Sequence, residues 1–202
     1  IAVVEVGLGG RYDATNVITP VAGAITSIDF DHERHLGSTL TAIATEKAGI
    51  AKSGVPLVVG EVPPEAWHAI DDVARRAAAP VVRAHDGITV ETAFIEGHTQ
   101  LSAVTPAARY GPVRLALAGA HQAANAVVAI RLLETFAATS SRRLDPAHIE
   151  AGLALVQWPA RLEWLRHTAT GQRVLVDAAH NPAGARALAS YLAMARVPSV
   201  TL

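Results

Sequence analysis

The chain begins with the apolar residues Ile1-Ala2-Val3-Val4 and passes at once into Glu5-Val6-Gly7-Leu8-Gly9-Gly10-Arg11-Tyr12-Asp13-Ala14-Thr15-Asn16. A short β-branched run of this kind predicts a buried parallel strand over 1–4. Three glycines then let the backbone turn tightly and approach a ligand closely. In an open α/β sheet, ligands bind beyond the carboxyl ends of the strands, so Glu5 is a carboxylate placed where chemistry is done. The glycines by themselves describe an ordinary connection equally well, with Glu5 simply paired to Arg11. Partners further along the chain decide between the two.

Residues 23–28 read as a second buried strand, ending in the polar cluster Asp29-Phe30-Asp31-His32-Glu33-Arg34-His35-Leu36-Gly37. Ser38 is an acceptable cap for a helix through about residue 48, which carries Glu46-Lys47. A strand over 55–59 and a helix starting at Pro63-Pro64 follow, then a short strand over 81–83. Residues 86–118 change rhythm to loose alternation with turn signals, which predicts antiparallel hairpins. A long alanine-rich helix over about 119–138 contains His121-Gln122-Ala123-Ala124-Asn125-Ala126, and Asp145-Pro146 begins another. Near 156–159 the rhythm resets. Strands over 161–165 and 173–177, a helix over 182–194 and a strand starting at 198 read as the opening βαβ of a second domain. The expected division is 1–156 and 157–202. Both ends fall within strand-like sequence, which reads as a segment of a longer protein.

Composition narrows the function classes. With a net charge of −1 there is no electrostatic case for nucleic acid or an anionic membrane surface. No cysteine is present, which removes disulfides, thiolate zinc sites and a cysteine nucleophile. No apolar run reaches the roughly 20 residues that span a bilayer, so the cytoplasm is the expected compartment. Half of the residues are hydrophobic but only 4 % are aromatic, so the core must be aliphatic.

Glu5 and His32, each at a strand end, are candidates to share one hard cation, with water and phosphate oxygens completing its shell. Lys47 is an unusual companion, because an ammonium has donors and no acceptor. It joins such a site only after losing its proton, as burial near a cation favours, and taking up CO2 as a carbamate. Asp177-Ala178-Ala179-His180-Asn181-Pro182 sets an acid, an imidazole and an amide between a strand and a helix start, where anions bind readily. An ordinary junction, with Asn181 only capping the helix, is the simpler alternative. Arg161 lies where the two domains are expected to meet, suitably placed for nucleotide phosphates.

Six blocks now stand in order: 5–16 (EVGLGGRYDATN), 31–37 (DHERHLG), 46–52 (EKAGIAK), 121–126 (HQAANA), 158–163 (WPARLE) and 177–182 (DAAHNP). Together they resemble the folylpolyglutamate synthase/dihydrofolate synthase family of the Mur-ligase superfamily. The resemblance implies an α/β fold: a mostly parallel sheet flanked by helices, forming a truncated central ATPase domain, then the start of a second, Rossmann-like glutamate-ligase domain. It implies an ATP-dependent amide ligase that activates a carboxylate as an acyl phosphate and joins it to L-glutamate. In the family's pattern Glu5 and His32 hold Mg2+, and Lys47 is carbamylated. Asn125 meets adenine, Asp177 the ribose and Arg161 the phosphates, with His180 near them. Tyr12, Asp13 and Ala14 line the site for the pterin of dihydropteroate or folate. The resemblance also implies a monomer.

Two departures stand out. The family usually has glycine at positions 160 and 178, and this chain has Ala160 and Ala178. No Gly-x-x-Gly-Lys-Ser/Thr phosphate loop occurs in it either. That loop is expected upstream of Glu5, so the 202 residues alone are expected to be inactive. Three other readings compete. A Mur-type ligase of cell-wall precursors shares Arg161 and His180-Asn181-Pro182 but not the glycine block. The others are a non-catalytic nucleotide-binding relative and a metal-dependent hydrolase built on Glu5 and His32.

Overall fold

The computed structural model describes residues 1–140 and 142–197. They form two compact units, one of residues 1–86, 127–140 and 142–144, the other of 87–126 and 145–197.

The first unit is built on a parallel sheet of β1 (Gly23–Ile25), β2 (Leu57–Val59) and β3 (Val81–Arg83), in that order. Gly23 pairs with Leu57 and Leu57 with Val81, so the three strands start in step. Parallel neighbours require crossovers, supplied by α1 (Glu33–Leu36) with α2 (Leu40–Ala48), and then by α3 (Pro64–Arg76). All three residues of β2 are buried, as expected of a central strand covered on both faces. α3 starts at a proline, whose missing N–H is no loss in the first turn. Its Ala66, Ala69, Ile70, Val73 and Ala74 form one buried stripe. Against this stripe lie Ile43, Ala44 and Ala48 of α2, with Ile25, Ile28 and Leu57 of the sheet side. The cap of α2 is Thr39, whose side chain accepts from Ala42 N, one residue beyond the Ser38 expected.

Residues 1–4 do not form the expected buried strand. They run beside no other strand among the described residues, and Ile1 and Val3 are 95 % and 96 % exposed. A β-branched run supplies propensity, but a strand exists only with a ladder partner and a face to bury.

In the second unit, β4 (Thr89–Ile95), β5 (His98–Val104) and β6 (Arg109–Arg114) make the antiparallel sheet that the alternation predicts. Thr99, Leu101, Ala103, Tyr110 and Val113 are its buried residues. α5 (Pro146–Leu155), capped by Asp145, packs on β6, and Glu150 accepts the Gly111 amide at 2.7 Å. α4 (Ala120–Ser140) contributes its first turns to this unit. β7 (Glu163–Arg166) and β8 (Arg173–Val176) form an antiparallel hairpin that leads into α6 (Pro182–Met194). Tyr191 of α6 is buried: its hydroxyl accepts from Trp164 Nε1 at 2.8 Å and its ring meets Phe94 edge-on. The strand expected from 198 lies outside the described residues.

Candidate functional site

In the first unit the glycine block is a loop closed by its own acid. Asp13 accepts from the backbone N–H of Gly7 (3.0 Å), Leu8 (3.1 Å) and Thr15 (2.9 Å), and from the Thr15 hydroxyl (2.5 Å). These bonds, led by the Thr15 hydroxyl, pull its carboxyl down to about 2 from the ordinary 3.8. Asp13 also caps the single 3-10 turn Ala14–Val17. Tyr12 and Ala14 are exposed beside it. Glu5, exposed, precedes the loop.

The loop lies on the C-terminal end of α2 with almost no space between the two backbones. A Cβ on Gly10 would stand 2.7 Å from the Lys47 carbonyl oxygen, and one on Gly49 would stand 2.6 Å from Arg11 Cα. Only glycine permits this approach. Arg11 N donates to Glu46 O at 3.0 Å, and the Arg11 guanidinium lies 3.8 Å from the Glu46 carboxylate. Glu46, not Glu5, therefore neutralises Arg11. Lys47 sits half-buried in the last turn of α2, and its ammonium has no hydrogen-bond or ion-pair partner among the described residues.

His32 occupies the left-handed region (φ 50°) at the start of α1. Its N–H donates to Asp31 Oδ1 at 2.9 Å, and its Nε2 lies 3.6 Å from Asp31 Oδ2. Carboxylate oxygens with one imidazole suit a hard divalent cation that keeps water and phosphate oxygens as its other ligands. Asp31 is a donor that residue spacing does not single out, although it stands next to His32.

In the second unit the blocks around Arg161 and Asp177 are laced into one structure. Asp177 Oδ2 accepts from Leu162 N and Oδ1 from Ala179 N, both at 2.9 Å. Ala178 N donates to Ala160 O, and Ala160 N to Glu163 Oε2, again at 2.9 Å. Ala160 and Leu162, flanking Arg161, both have left-handed φ (57° and 48°). This presents the exposed Arg161 side chain from a tight turn. Each carboxylate oxygen has two acceptor sites, so Asp177 keeps capacity for a further donor. His180 Nδ1 is 2.9 Å from Ala178 O, and Asn181 caps α6 through Gly184 N at 2.8 Å.

Asn125, exposed on α4, is held by Gln122 Oε1 at 3.2 Å. One turn before it, His121 is half-buried and packed over Gly119. Burial pushes its imidazole below the usual 6.5; the charge of Asp177 acts to raise it and that of Arg161 to lower it. His121 is thus a neighbour of both residues. Its block is visible in the sequence, but nothing in the spacing singles out its first residue. Asn125, His121, Arg161, Asp177 and His180 belong to the second unit; Glu5, Tyr12, Asp13, Ala14, His32 and Lys47 belong to the first.

Parallel strands joined by helical crossovers define an α/β fold, and solved structures of Mur-ligase-type folylpolyglutamate synthases share it. An FPGS–AMPPCP–folate complex superposes with a TM-score of 0.87 at 34 % identity, covering 94 % of this chain and 46 % of its own. Folylpolyglutamate synthase of Mycobacterium tuberculosis, complexed with ADP and AMPPCP, gives 0.81 at 39 % identity, with 94 % and 43 % covered. Over 93–96 % of its length the chain is similar to proteins named folylpolyglutamate synthase and dihydrofolate synthase/folylpolyglutamate synthase. It is 43 % identical over 201 residues to the dihydrofolate synthase/folylpolyglutamate synthase of M. tuberculosis, covering 96 % of this chain and 41 % of that protein. To the folylpolyglutamate synthase of Lacticaseibacillus casei it is 36 % identical over 193 residues, covering 95 % and 44 %. The chain thus spans under half the length of the relatives it matches. No family model matches it. Among the described residues, no helix is long and apolar enough to cross a membrane.

Proposed function

We propose that the protein carrying this chain is an ATP-dependent amide ligase that adds L-glutamate to dihydropteroate, to the glutamate tail of a folate, or to both. One observation carries this reading. The chain follows the fold of an FPGS complex that contains an ATP analogue and folate, over 94 % of its length. The γ-phosphoryl group passes from ATP to the substrate carboxylate, giving an acyl phosphate and ADP. The amine of glutamate then attacks the acyl carbon, the amide bond forms, and inorganic phosphate leaves. Such chemistry is carried mainly by positioning and by neutralising charge.

In this reading residues 1–156 are the central ATP- and Mg2+-binding domain and 157–202 open the glutamate-ligase domain. Glu5 and His32 hold Mg2+, which when bound neutralises phosphate charge; the Asp31 carboxylate beside His32 supports that assignment. Lys47 is carbamylated, as suits a half-buried lysine with no counter-ion. Asn125 reads adenine, Asp177 the ribose and Arg161 the phosphates, with His180 beside them. Tyr12, Asp13 and Ala14 face the pterin. For Asp13, whose carboxylate is engaged by its own loop, this means shaping the site more than accepting from substrate. The protein is a cytoplasmic monomer that binds neither nucleic acid nor membrane. The 202 residues by themselves, without a phosphate loop, do not turn over.

The acyl phosphate is the distinguishing feature. Hydroxylamine supplied in place of glutamate should intercept it, so that the whole protein with ATP, Mg2+ and dihydropteroate or folate yields the hydroxamate. ATP consumption without hydroxamate, at trapping concentrations that leave the protein folded, would contradict the mechanism.

A further inference from the structure

The glycine loop is fastened to α2 by two residues that have no part in the ligand set above. Asn16 Nδ2 donates to Arg11 O at 2.9 Å within the loop and to Gly49 O at 3.1 Å at the end of α2. Lys52 Nζ reaches back to donate to Asn16 O at 2.8 Å. Asn16 and Lys52 are both half-buried. Residue type matters at both positions. An asparagine amide brings two donors to two carbonyls of different segments, whereas aspartate at neutral pH brings none. The charged lysine makes a stronger bond to a carbonyl than a neutral donor would. Between these fasteners the backbones of Gly10 and Gly49 are in contact with the opposing segment, with no room for a side chain to hold them.

Resting on the functional reading above, we propose that Asn16 and Lys52 are positioning residues. They form a latch that holds the glycine loop on the C-terminal end of α2, so that Lys47 keeps a fixed place relative to Tyr12 and Ala14. Lys47 stands in the same turn of α2 whose carbonyls receive the loop: Glu46 O accepts Arg11 N, and Lys47 O abuts Gly10. A loop that lifts off therefore displaces the pterin-side residues from the lysine, without altering either group chemically.

The test is hydrogen exchange at the Arg11 amide, which donates across the latched surface, measured in the whole protein. Asn16→Asp and Lys52→Met should each speed its exchange by about tenfold or more, with the α3 amides unchanged and Lys52→Arg close to the parent. Lys52→Gln, which keeps an uncharged donor, is the milder variant and should lie between if Lys52→Met also loosens α3. In turnover, Asn16→Asp and Lys52→Met should raise KM for the acid substrate and lower kcat together, and Lys52→Arg should restore both. Exchange at Arg11 within twofold of the parent in both variants overturns the latch. Faster exchange with KM and kcat unmoved overturns the positioning role. If the parent itself shows no ligase turnover, the functional reading fails, while the exchange result still decides the latch.

Discussion

Asp177 accepts the backbone N–H of Leu162 at 2.9 Å, joining a strand-end acid to the turn that presents Arg161. Its second oxygen takes Ala179 N. Asp177→Ala would leave both N–H groups without their acceptor, which costs about 1–3 kcal/mol where solvent cannot replace it. Asp177→Asn, which retains one acceptor oxygen, should cost less. Urea unfolding measures both. An Asp177→Ala variant as stable as the parent would show that the carboxylate does not organise the turn.

Ala160 is held at φ 57° because its N–H and its carbonyl are both engaged, by Glu163 and by Ala178 N. A left-handed non-glycine residue costs roughly 1–2 kcal/mol, partly offset by the entropy glycine loses on folding. Ala160→Gly should therefore stabilise the protein by about 0.5–1 kcal/mol. Ala178→Gly, at a position without positive φ, should not. Thermal melts of the two variants separate the cases.

His121 tests whether Arg161 and Asp177 act electrostatically at one place. Burial holds its imidazole below 6.5, with Asp177 and Arg161 acting in opposite senses. Arg161→Ala should raise the midpoint of its NMR titration, and Asp177→Asn should lower it. Two variants that move it the same way would contradict the arrangement.

Asp13 gives a pH signature. Its folded pKa is about 2 against an ordinary 3.8, so its stabilisation is complete above the unfolded value and is lost as pH falls from 3.8 towards 2. The stability difference between the parent and Asp13→Asn should be constant near neutral pH and shrink across that window. Urea unfolding at stepped pH measures it; a difference that grew on acidification would carry the wrong sign.

Wherever period and capping both speak, the sequence suffices. α3 follows from Pro64 and the spacing of Ala66, Ile70 and Val73, and α6 from Asn181-Pro182. The hairpins of 89–114 follow from alternation with turn residues. What is not legible depends on partners. Ile1–Val4 carry strand propensity with nothing to pair against, so the expected burial is absent. By sequence alone Arg11 is offered only Glu5, and the contact of Gly10 with the end of α2 gives it Glu46 instead.

The site shows the same division. Glu5, His32, Lys47, Asn125, Arg161 and Asp177 are marked out by residue type and by the blocks that carry them. Asp13 is marked as a ligand-facing acid only by the family resemblance, and nothing in DATN reveals that Gly7 and Leu8 turn back to donate to it. Asn16 and Lys52 are 36 positions apart and their contact ends on a backbone carbonyl, so no pairing of side-chain types announces it.

In the reading proposed above, the whole protein couples ATP cleavage to amide formation with glutamate. The direct measurement is glutamate-dependent ADP release with Mg2+, offering dihydropteroate and a reduced folate separately. ADP release that requires glutamate and at least one of the two acids is the predicted result, and the acid that works identifies the synthase activity. A folded whole protein that releases no ADP with either acid would not be a glutamate ligase of this kind.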